Sequence, residues 1–379
     1  MFRFLFKLLI NHAIRRSKAC YARYSSSLKS ASSSKEQQHL TLHYFTNSCG
    51  MSLEMATSAC KFVKIKSTDK ADLVLQLLRA KGFTQSQIAC LISRQPHFIL
   101  YDPHKNLKPK IEYFESLGFV APLLPKMLYG DPRILATSLK NRILPNIDFL
   151  RGFLETEENF ILSLKQCFSV LRLDTALMMS KICTLCAFGV PEPNIRRLIV
   201  LHPRLLCIRL DFYEEKVQEL KEMGIEPTSK YFVTAFRSMS AMSNSKWERK
   251  KKVLMGFGWS ERDIIMAFRA QPLFMTTSEK KMKQLMEFYL TKACLQLSDL
   301  VRSPHLFMIS LERNAIPRCS VLKVLISKGL IKKNVSVAGA LNMTKKQFED
   351  KYFTCFKGDY PELIQAFQVE TFEGFCNWI

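Results

Sequence analysis

The sequence lacks a long apolar run, the common catalytic motifs and a balance between acids and bases. No stretch approaches the roughly eighteen consecutive apolar residues that a membrane-spanning helix requires, so we expect no membrane association. The seven histidines are scattered, and no glycine-rich phosphate loop, zinc-protease motif or nucleophile-elbow motif occurs. These absences disfavour an enzyme, and we expect no catalytic residue, no metal and no cofactor.

Tandem cysteine pairs are also missing. The twelve cysteines are dispersed, without the paired spacing of zinc fingers or the dense framework of small secreted domains. Cys183 and Cys186 form a single C-x-x-C, but they fall on a predicted helix and have no second pair, so we interpret the motif as a coincidence. The pattern predicts free thiols in a reducing compartment.

The acids are too few to neutralise the bases. Lys and Arg number 56 and Asp and Glu number 33, which gives a formal net charge of +23. Such an excess of one sign makes a compact protein repel itself unless it has an acidic partner. Nucleic acid is the first partner that this charge predicts.

Residues 1–35 have the composition of an organellar transit peptide. They contain eight bases and no acid, with an apolar start and a serine-rich end. Arg15 and Arg16 interrupt the apolar run, so a secretory signal fits less well. We expect import into mitochondria, with plastids as the alternative, because the segment is rich in arginine. Without it, 48 bases remain against 33 acids, a formal charge of +15.

An internal repeat organises the rest of the chain. A proline followed by apolar residues recurs, and a glycine commonly stands fourteen residues before it. The two markers share one period of roughly 35 residues if two repeats have lost the proline, at about Phe168 and Ser238. The prolines are Pro96, Pro132, Pro203, Pro272 and Pro304, and the glycines in register are Gly82, Gly118, Gly189, Gly224, Gly258 and Gly329. The pattern predicts about eight repeats over residues 40–368 and a C-terminal tail at 369–379.

Each repeat is predicted to hold two helices and a turn. Apolar residues such as Ile111, Phe114 and Leu117 form one face of a first helix, and the following glycine supplies the left-handed conformation that ends it. A second helix runs from a cap such as Thr84 to the proline, which cannot continue it, and a short 3₁₀ turn follows. One repeat cannot bury its apolar face alone, so the expected fold is an all-α solenoid of stacked repeats.

This repeat resembles that of the mitochondrial transcription termination factor family, mTERF, in its land-plant form. A single globular bundle predicts no period, and tetratricopeptide and pentatricopeptide repeats lack these markers. The segments most specific to the resemblance begin at Trp247 (WERK), Gly258 (GWSE), Ser278 (SEKK) and Ile316 (IPRCSV). The resemblance implies a superhelix of helix pairs that binds duplex DNA or structured RNA in an organelle and acts in transcription termination or transcript maturation.

Bases recur eight or nine positions after the marker, where a first helix should begin. A solenoid aligns equivalent positions along one surface, so these bases can follow a phosphate backbone. We call them the basic row: Lys105, Lys140, Lys246, Lys280, Lys281 and Arg313. The row is interrupted in the repeats marked by Phe168 and Pro203, where we expect other arginines to contribute: Arg133, Arg172, Arg196, Arg197, Arg204 and Arg209. For any single base, the competing interpretation is a solvated surface position.

Two classes of function stay open. In the first, a monomer binds nucleic acid, either duplex DNA to regulate transcription or RNA to aid intron splicing or transcript maturation. In the second, the solenoid is a protein-binding scaffold, as many helical repeats are. The charge of +15 favours the first class because a scaffold has no general need of it.

Overall fold

A computed structural model describes residues 31–229, 231–369 and 371–375. The predicted transit segment therefore lies almost entirely outside the described residues. Within them every regular element is helical and no β-strand occurs. None of these helices is both long and apolar enough to cross a bilayer. The fold is an all-α solenoid of helical repeats, which confirms the predicted class.

The chain divides into two compact units, and the first holds the described residues up to Ile182 together with Ile199–Cys207. Its helices are α1 (Ala31–Asn47), α2 (Leu53–Ala59), α3 (Asp69–Ala80), α4 (Gln85–Arg94), α5 (Lys108–Ser116), α6 (Leu123–Gly130), α7 (Arg133–Ala136), α8 (Leu144–Leu154) and α9 (Glu157–Gln166). Its 3₁₀ turns are Pro96–Leu100, Phe168–Arg172 and Pro203–Cys207, and its π-helical turns are Pro103–Leu107 and Leu139–Ile143.

The second unit holds Cys183–Leu198 and the residues from Ile208 onward. Two helices contribute to both units, α10 (Thr175–Ala187) and α11 (Glu192–Leu201). The others are α12 (Leu210–Glu222), α13 (Phe232–Ser240), α14 (Asn244–Gly256), α15 (Glu261–Ala270), α16 (Glu279–Glu287), α17 (Leu297–Arg302), α18 (Ile316–Ser327), α19 (Val337–Leu341), α20 (Lys345–Phe348) and α21 (Glu362–Gln368). The 3₁₀ turns are Pro272–Thr276 and Pro304–Phe307, and the π-helical turns are Phe288–Lys292, Leu311–Ala315 and Glu349–Thr354.

First helices end at the predicted glycines. Gly118 has a φ of 84° and Gly189 a φ of 83°, in the left-handed region. The Gly118 N–H donates to the Glu115 carbonyl at 2.9 Å, and the Phe119 N–H donates to the Phe114 carbonyl at 3.1 Å, as in a Schellman motif. The same pair of bonds and a positive φ recur at the other glycines in register: Gly82, Gly224, Gly258 and Gly329. This prediction is confirmed.

Second helices begin with the predicted caps and end before the markers. Thr84 accepts a hydrogen bond from the Gln87 N–H, and the Gln87 side chain accepts one from the Thr84 N–H, so α4 starts with a capping box. Ser260 and Asp263 form the same box at the start of α15. Because a proline has no N–H and clashes with the preceding turn, α4 ends just before Pro96.

Three markers differ from the predicted pattern. The turn after Pro132 is the short α-helix α7 rather than a 3₁₀ turn. The prediction of a turn at Ser238 is wrong. Because no proline stands there, α13 continues through this position. Ser238 is buried and donates to the Pro272 carbonyl at 2.7 Å. Leu154 occupies a glycine position, but α8 includes it, and the positive φ of 65° falls on Glu155.

The described part of the predicted C-terminal tail packs on the second unit. The Phe372 ring lies 6.0 Å from the Phe288 ring, and both residues are buried. The Phe375 N–H donates to the Lys292 carbonyl at 2.8 Å. Residues 371–375 therefore contribute to the apolar interior of this unit.

Candidate nucleic-acid interface

Every member of the basic row lies in the first turn of a first helix. Two members belong to the first unit, in the π-helical turns before α5 and α8, namely Lys105 and Lys140. Four belong to the second unit, in the first turns of α14 and α16 and in the π-helical turn before α18, namely Lys246, Lys280, Lys281 and Arg313. All are exposed except Lys281, which is half-buried.

A side-chain cap starts each of these turns. Asp102 accepts the backbone N–H of Lys105 at 2.9 Å, Ser278 accepts that of Lys281 at 3.3 Å and Ser310 accepts that of Arg313 at 3.2 Å. Ser138 and Ser243 cap the turns of the remaining members. The caps fix the backbone of the basic residues, because each one satisfies an N–H that the helix leaves unpaired.

A second proline shapes three of these turns. Pro109, Pro145 and Pro317 each stand thirteen residues after a marker proline and are the second residues of α5, α8 and α18. A π-helical turn precedes each of these helices. Since a proline cannot donate and its ring displaces the carbonyl four residues earlier, the preceding hydrogen bonds shift to the wider spacing. This recurrence is a sequence signal for the local geometry of the row.

The basic row opposes the dipoles of its own helices. The start of an α-helix carries partial positive charge, so a base there costs about 0.3–1 kcal/mol where an acid would stabilise. Nevertheless, the first turns before α5 and α8 and the first turn of α14 contain no acid. Four second helices do the opposite, with acids in the first turns of α9, α11, α15 and α17, whereas α4, α6 and α13 have none there.

Single repeats are therefore charged differently at their two ends. A tight turn joins the helices of a repeat, so the second helix starts beside the end of the first, away from the basic row. Three repeats have a basic-row residue at the start of the first helix and an acid at the start of the second that is ion-paired with a neighbouring base: Lys140 and Glu157, Lys246 and Glu261, Lys280 and Asp299. Bases in the last turns of second helices add to the basic end: Arg94, Lys165, Arg237, Arg269 and Arg302.

The basic row has no carboxylate at ion-pair distance among the described residues, whereas several of the predicted arginines do. Asp131 binds two of them, with 3.2 Å to Arg133 and 2.7 Å to Arg172. Burial by itself raises the pKa of Asp131, but hydrogen bonds from Ser169 and from the two arginines outweigh it, so the pKa lies below its usual value. Asp131 is thus ionised and occupies both guanidinium groups.

The other predicted arginines divide in the same way. Arg196 pairs with Glu192 at 2.5 Å, and Arg209 pairs with Asp211. Arg197 and Arg204 are exposed. A phosphate would have to displace a carboxylate at the paired arginines, whereas Arg204 neighbours the Cys167 thiol and no carboxylate among the described residues, so the basic row and Arg204 are the stronger candidates.

Comparison with known proteins identifies the fold family. The mTERF family model matches residues 75–236 and 215–349. The chain belongs to the mTERF family. It is 20% identical over 333 residues to the Arabidopsis thaliana transcription termination factor MTERF15, mitochondrial, covering 85% of this chain and 64% of that protein. It is 26% identical over 175 residues to the transcription termination factor MTERF8, chloroplastic, of the same plant, covering 45% and 34%.

The mTERF chain thus spans less than two thirds of the length of either relative. The names of these relatives indicate two organelles, a mitochondrion and a chloroplast, and both support an organellar protein. Family membership favours a nucleic-acid-binding regulator over an enzyme. Among the described residues, no cluster of three or more His, Cys, Asp or Glu side chains is arranged to hold a metal ion.

The sequence interpretation missed a second set of lysines in the mTERF repeats. Lys110, Lys181, Lys216 and Lys250 each stand eight residues before a repeat glycine, and all four are buried. We call them the buried lysines. They are removed from the surface charge that a nucleic acid can meet. Their recurrence in the glycine register was a signal that sequence comparison between repeats can detect.

Three buried lysines donate to a late carbonyl of the turn that follows a marker proline, which is a 3₁₀ turn for Lys181 and Lys250 and the short helix α7 for Lys110. The Lys110 Nζ lies 2.5 Å from the Leu135 carbonyl and the Lys181 Nζ lies 2.6 Å from the Leu206 carbonyl, while Lys250 bonds in the same way to Met275. The end of a helical turn leaves carbonyls without partners, and the ammonium groups satisfy them. Burial lowers the pKa of all three lysines.

Other side chains supply the same donor in two further repeats. Asn146 stands eight residues before Leu154 and donates to the Leu171 carbonyl at 2.9 Å. Arg318, which is buried in α18, donates to the carbonyls of Leu341 and Met343 at 3.0 and 2.7 Å. A side-chain hydrogen-bond donor thus recurs in the first helices at this place, and lysine is one solution among several.

Proposed function

We propose that this mTERF protein binds duplex DNA in an organelle as a monomer, through the basic row, and acts in transcription termination or the regulation of organellar gene expression. The observation that supports it is the placement of unpaired bases at helix starts. Both relatives are named transcription termination factors, which favours DNA as the nucleic acid.

The electrostatics of the first helices favour a bound polyanion. A base in the first turn repels the helix dipole, so these residues reduce the stability of the free protein. A phosphate reverses the sign of this interaction, because the same dipole, the N–H groups and the basic side chain all attract it. Each phosphate that a base neutralises also releases condensed counterions from the nucleic acid. The unfavourable interaction of these bases with the helix dipole in the free protein is therefore offset when a phosphate binds.

A salt titration tests the proposal. We expect replacement of Lys140, Lys246, Lys280 and Arg313 by Ala to flatten the slope of log affinity against log salt on duplex DNA by about three to four, since each contact contributes roughly 0.9. Binding to all sequences should weaken similarly, because phosphate contacts carry no sequence information.

A second four-base variant serves as the matched control. It replaces bases that are already paired with carboxylates, namely Arg151, Lys251, Lys328 and Lys345. The control loses the same net charge and should keep nearly the parent slope. If both variants are folded by circular dichroism and show equal slopes of log affinity against log salt, the basic-row residues are only solvated surface positions. If structured RNA binds more tightly than DNA, a role in splicing or maturation replaces termination. A parent that binds neither ligand would support the scaffold alternative.

We further propose that residues 1–35 direct import into mitochondria. The support is their acid-free, arginine-rich composition and the mitochondrial and chloroplastic names of the relatives. A fusion of residues 1–40 to a fluorescent reporter should enter mitochondria and lose its leader. A plastid signal would correct the compartment, and a cytosolic or secreted reporter would contradict the proposal.

A further inference from the structure

Two cysteines meet where neighbouring repeats pack in the first unit. Cys167 directly precedes the 3₁₀ turn Phe168–Arg172, and Cys207 is the last residue of the 3₁₀ turn Pro203–Cys207. The two turns contact each other. Neither thiol is in a disulfide. Residues far apart in the sequence are thus brought side by side by the stacking of repeats.

The Cys167 and Cys207 side chains are hydrogen-bonding partners across this contact. This bond lowers the pKa of Cys167 to about 6, against the opposing effect of burial, and the Ser169 N–H and Arg204 lower it further. The pKa of Cys207 is raised because its proton is held between the two sulfurs. The cations that act on the pair are Arg204, Arg172 and Lys181. Cys167 is therefore the more acidic thiol of the pair and the one favoured as the nucleophile.

Both sulfurs are within reach of a small reagent. Cys167 is only 6% exposed, but it lines a cavity of about 360 Å³ together with Lys126, Lys165 and Arg204. Cys207 is exposed. An activated thiolate in a cationic cavity with a second thiol in contact is the arrangement of a reactive cysteine beside a resolving one.

We propose that Cys167 and Cys207 are a redox-active pair that a hydroperoxide converts into a disulfide joining the two turns. The Cys167 thiolate attacks one peroxide oxygen, the O–O bond breaks, and the second oxygen leaves as hydroxide when the oxidant is hydrogen peroxide. The Cys207 sulfur then attacks the sulfenic acid, forming the S–S bond and releasing water. The pair loses two electrons to the peroxide, and a thiol can return them by exchange.

Oxidation also changes the charge that faces Arg204. The thiolate form of Cys167 carries one negative charge beside this guanidinium, and the disulfide carries none. Arg204 is then left for a phosphate, so oxidation should steepen the salt slope of DNA binding by up to about 0.9. This consequence depends on the proposed DNA binding, whereas the disulfide itself does not.

Peptide mapping of the full-length chain tests the disulfide. One equivalent of hydrogen peroxide should produce a peptide that links Cys167 to Cys207 and disappears with dithiothreitol. A variant with Cys183→Ser and Cys186→Ser, which removes the exposed C-x-x-C, should form it equally well. In Cys207→Ser, Cys167 should stop at the sulfenic acid with one equivalent and advance to sulfinic acid when a second equivalent of peroxide is added. First oxidation at Cys183, Cys186 or Cys355, with no linked peptide, would overturn the proposal.

A salt titration of the oxidised and reduced protein tests the charge coupling. The oxidised protein should show the steeper slope, and Arg204→Ala should abolish the difference between the two forms. An unchanged slope in a protein whose disulfide has formed would overturn the coupling and leave the disulfide standing. If neither form binds nucleic acid, the proposed function fails, while the mapping result still decides the disulfide.

Discussion

The exposed start and the buried middle of one helix, α14, use the same residue in opposite ways. Lys246 lies in the first turn, is exposed and has no carboxylate partner among the residues that the structure describes, whereas Lys250 is 7% exposed and donates to the Met275 carbonyl. The two lysines are four residues apart, twelve and eight residues before Gly258. Distance from the glycine, rather than residue type, therefore separates a charge that can meet a phosphate from one that supports the fold.

The largest expected effect comes from removing the buried lysine of this pair. Lys250→Met keeps the apolar stem but leaves the Met275 carbonyl without its donor, which should reduce the free energy of unfolding by about 1–3 kcal/mol. Lys246→Met should change it by no more than about 0.5 kcal/mol, as surface substitutions do. Chemical denaturation of both variants measures the difference, and equal stability would erase the distinction between the two regions.

The pH dependence of stability offers a second readout for Lys250. Burial lowers its pKa below the value of about 10.4 in the unfolded chain. Between the two values the unfolded chain binds more protons than the folded one, so the stability of the parent rises with pH in that window. The rise should be smaller in Lys250→Met and unchanged in Lys246→Met. Lys110 and Lys181 contribute in the same direction, so part of the rise should remain.

A somewhat smaller effect is expected from the glycine that defines the register. A Cβ added at Gly118 or Gly189 would meet no atom within 4 Å, so substitution there tests backbone conformation without a steric clash. Gly118→Val and Gly189→Val should each cost about 1–2 kcal/mol, because a β-branched residue is strained at a positive φ.

Gly152 provides the control of opposite sign for this prediction. It lies inside α8 with no neighbour near its missing Cβ and without a positive φ. Gly152→Ala should stabilise the protein by about 0.5–1 kcal/mol. Thermal unfolding of the three variants decides the matter, and unchanged midpoints for both valine variants would remove the helix-ending role of the repeat glycine.

The smallest expected effect is a gain of stability at the end of α8, where the repeat has no glycine. Glu155 holds a φ of 65°, which L-residues with a side chain rarely adopt. Glu155→Gly removes this strain but adds chain entropy to the unfolded state, so we expect a net stabilisation below about 1 kcal/mol. Glu155→Ala, measured by the same denaturation, should give no such gain. A destabilised glycine variant would contradict the strain assigned to this helix end.

Period and caps could be predicted from the sequence because they depend on residues near in the chain. A glycine after Leu117 and a threonine before Gln85 act within one turn of a helix, so Gly118 and Thr84 were assigned correctly. The extension of α13 through Ser238 was missed, because the turn was inferred from the period although its proline is absent.

Contacts between residues that are far apart in the sequence could not be predicted from local sequence patterns. Lys110 contacts a carbonyl 25 residues away, and Cys167 contacts Cys207 only because two repeats stack. The ion pairs that occupy Arg133 and Arg172 depend on Asp131, which is 41 residues from the second of them. The positions of the basic row could be predicted from the period, whereas the engagement of single arginines required the tertiary structure.

The bases at one end of a repeat, with ion-paired acids at the other, make the charge of that repeat asymmetric, so that it has an electric dipole. In the field of a long polyanion such a dipole experiences a torque that turns its basic end inward before any atoms touch. Encounter is then oriented rather than random, and association is accelerated while dissociation is little affected. Because mobile ions screen this field beyond roughly 10 Å at 0.1 M salt, we expect the asymmetry to affect how fast the protein reaches the proposed nucleic acid mainly at short range and low salt.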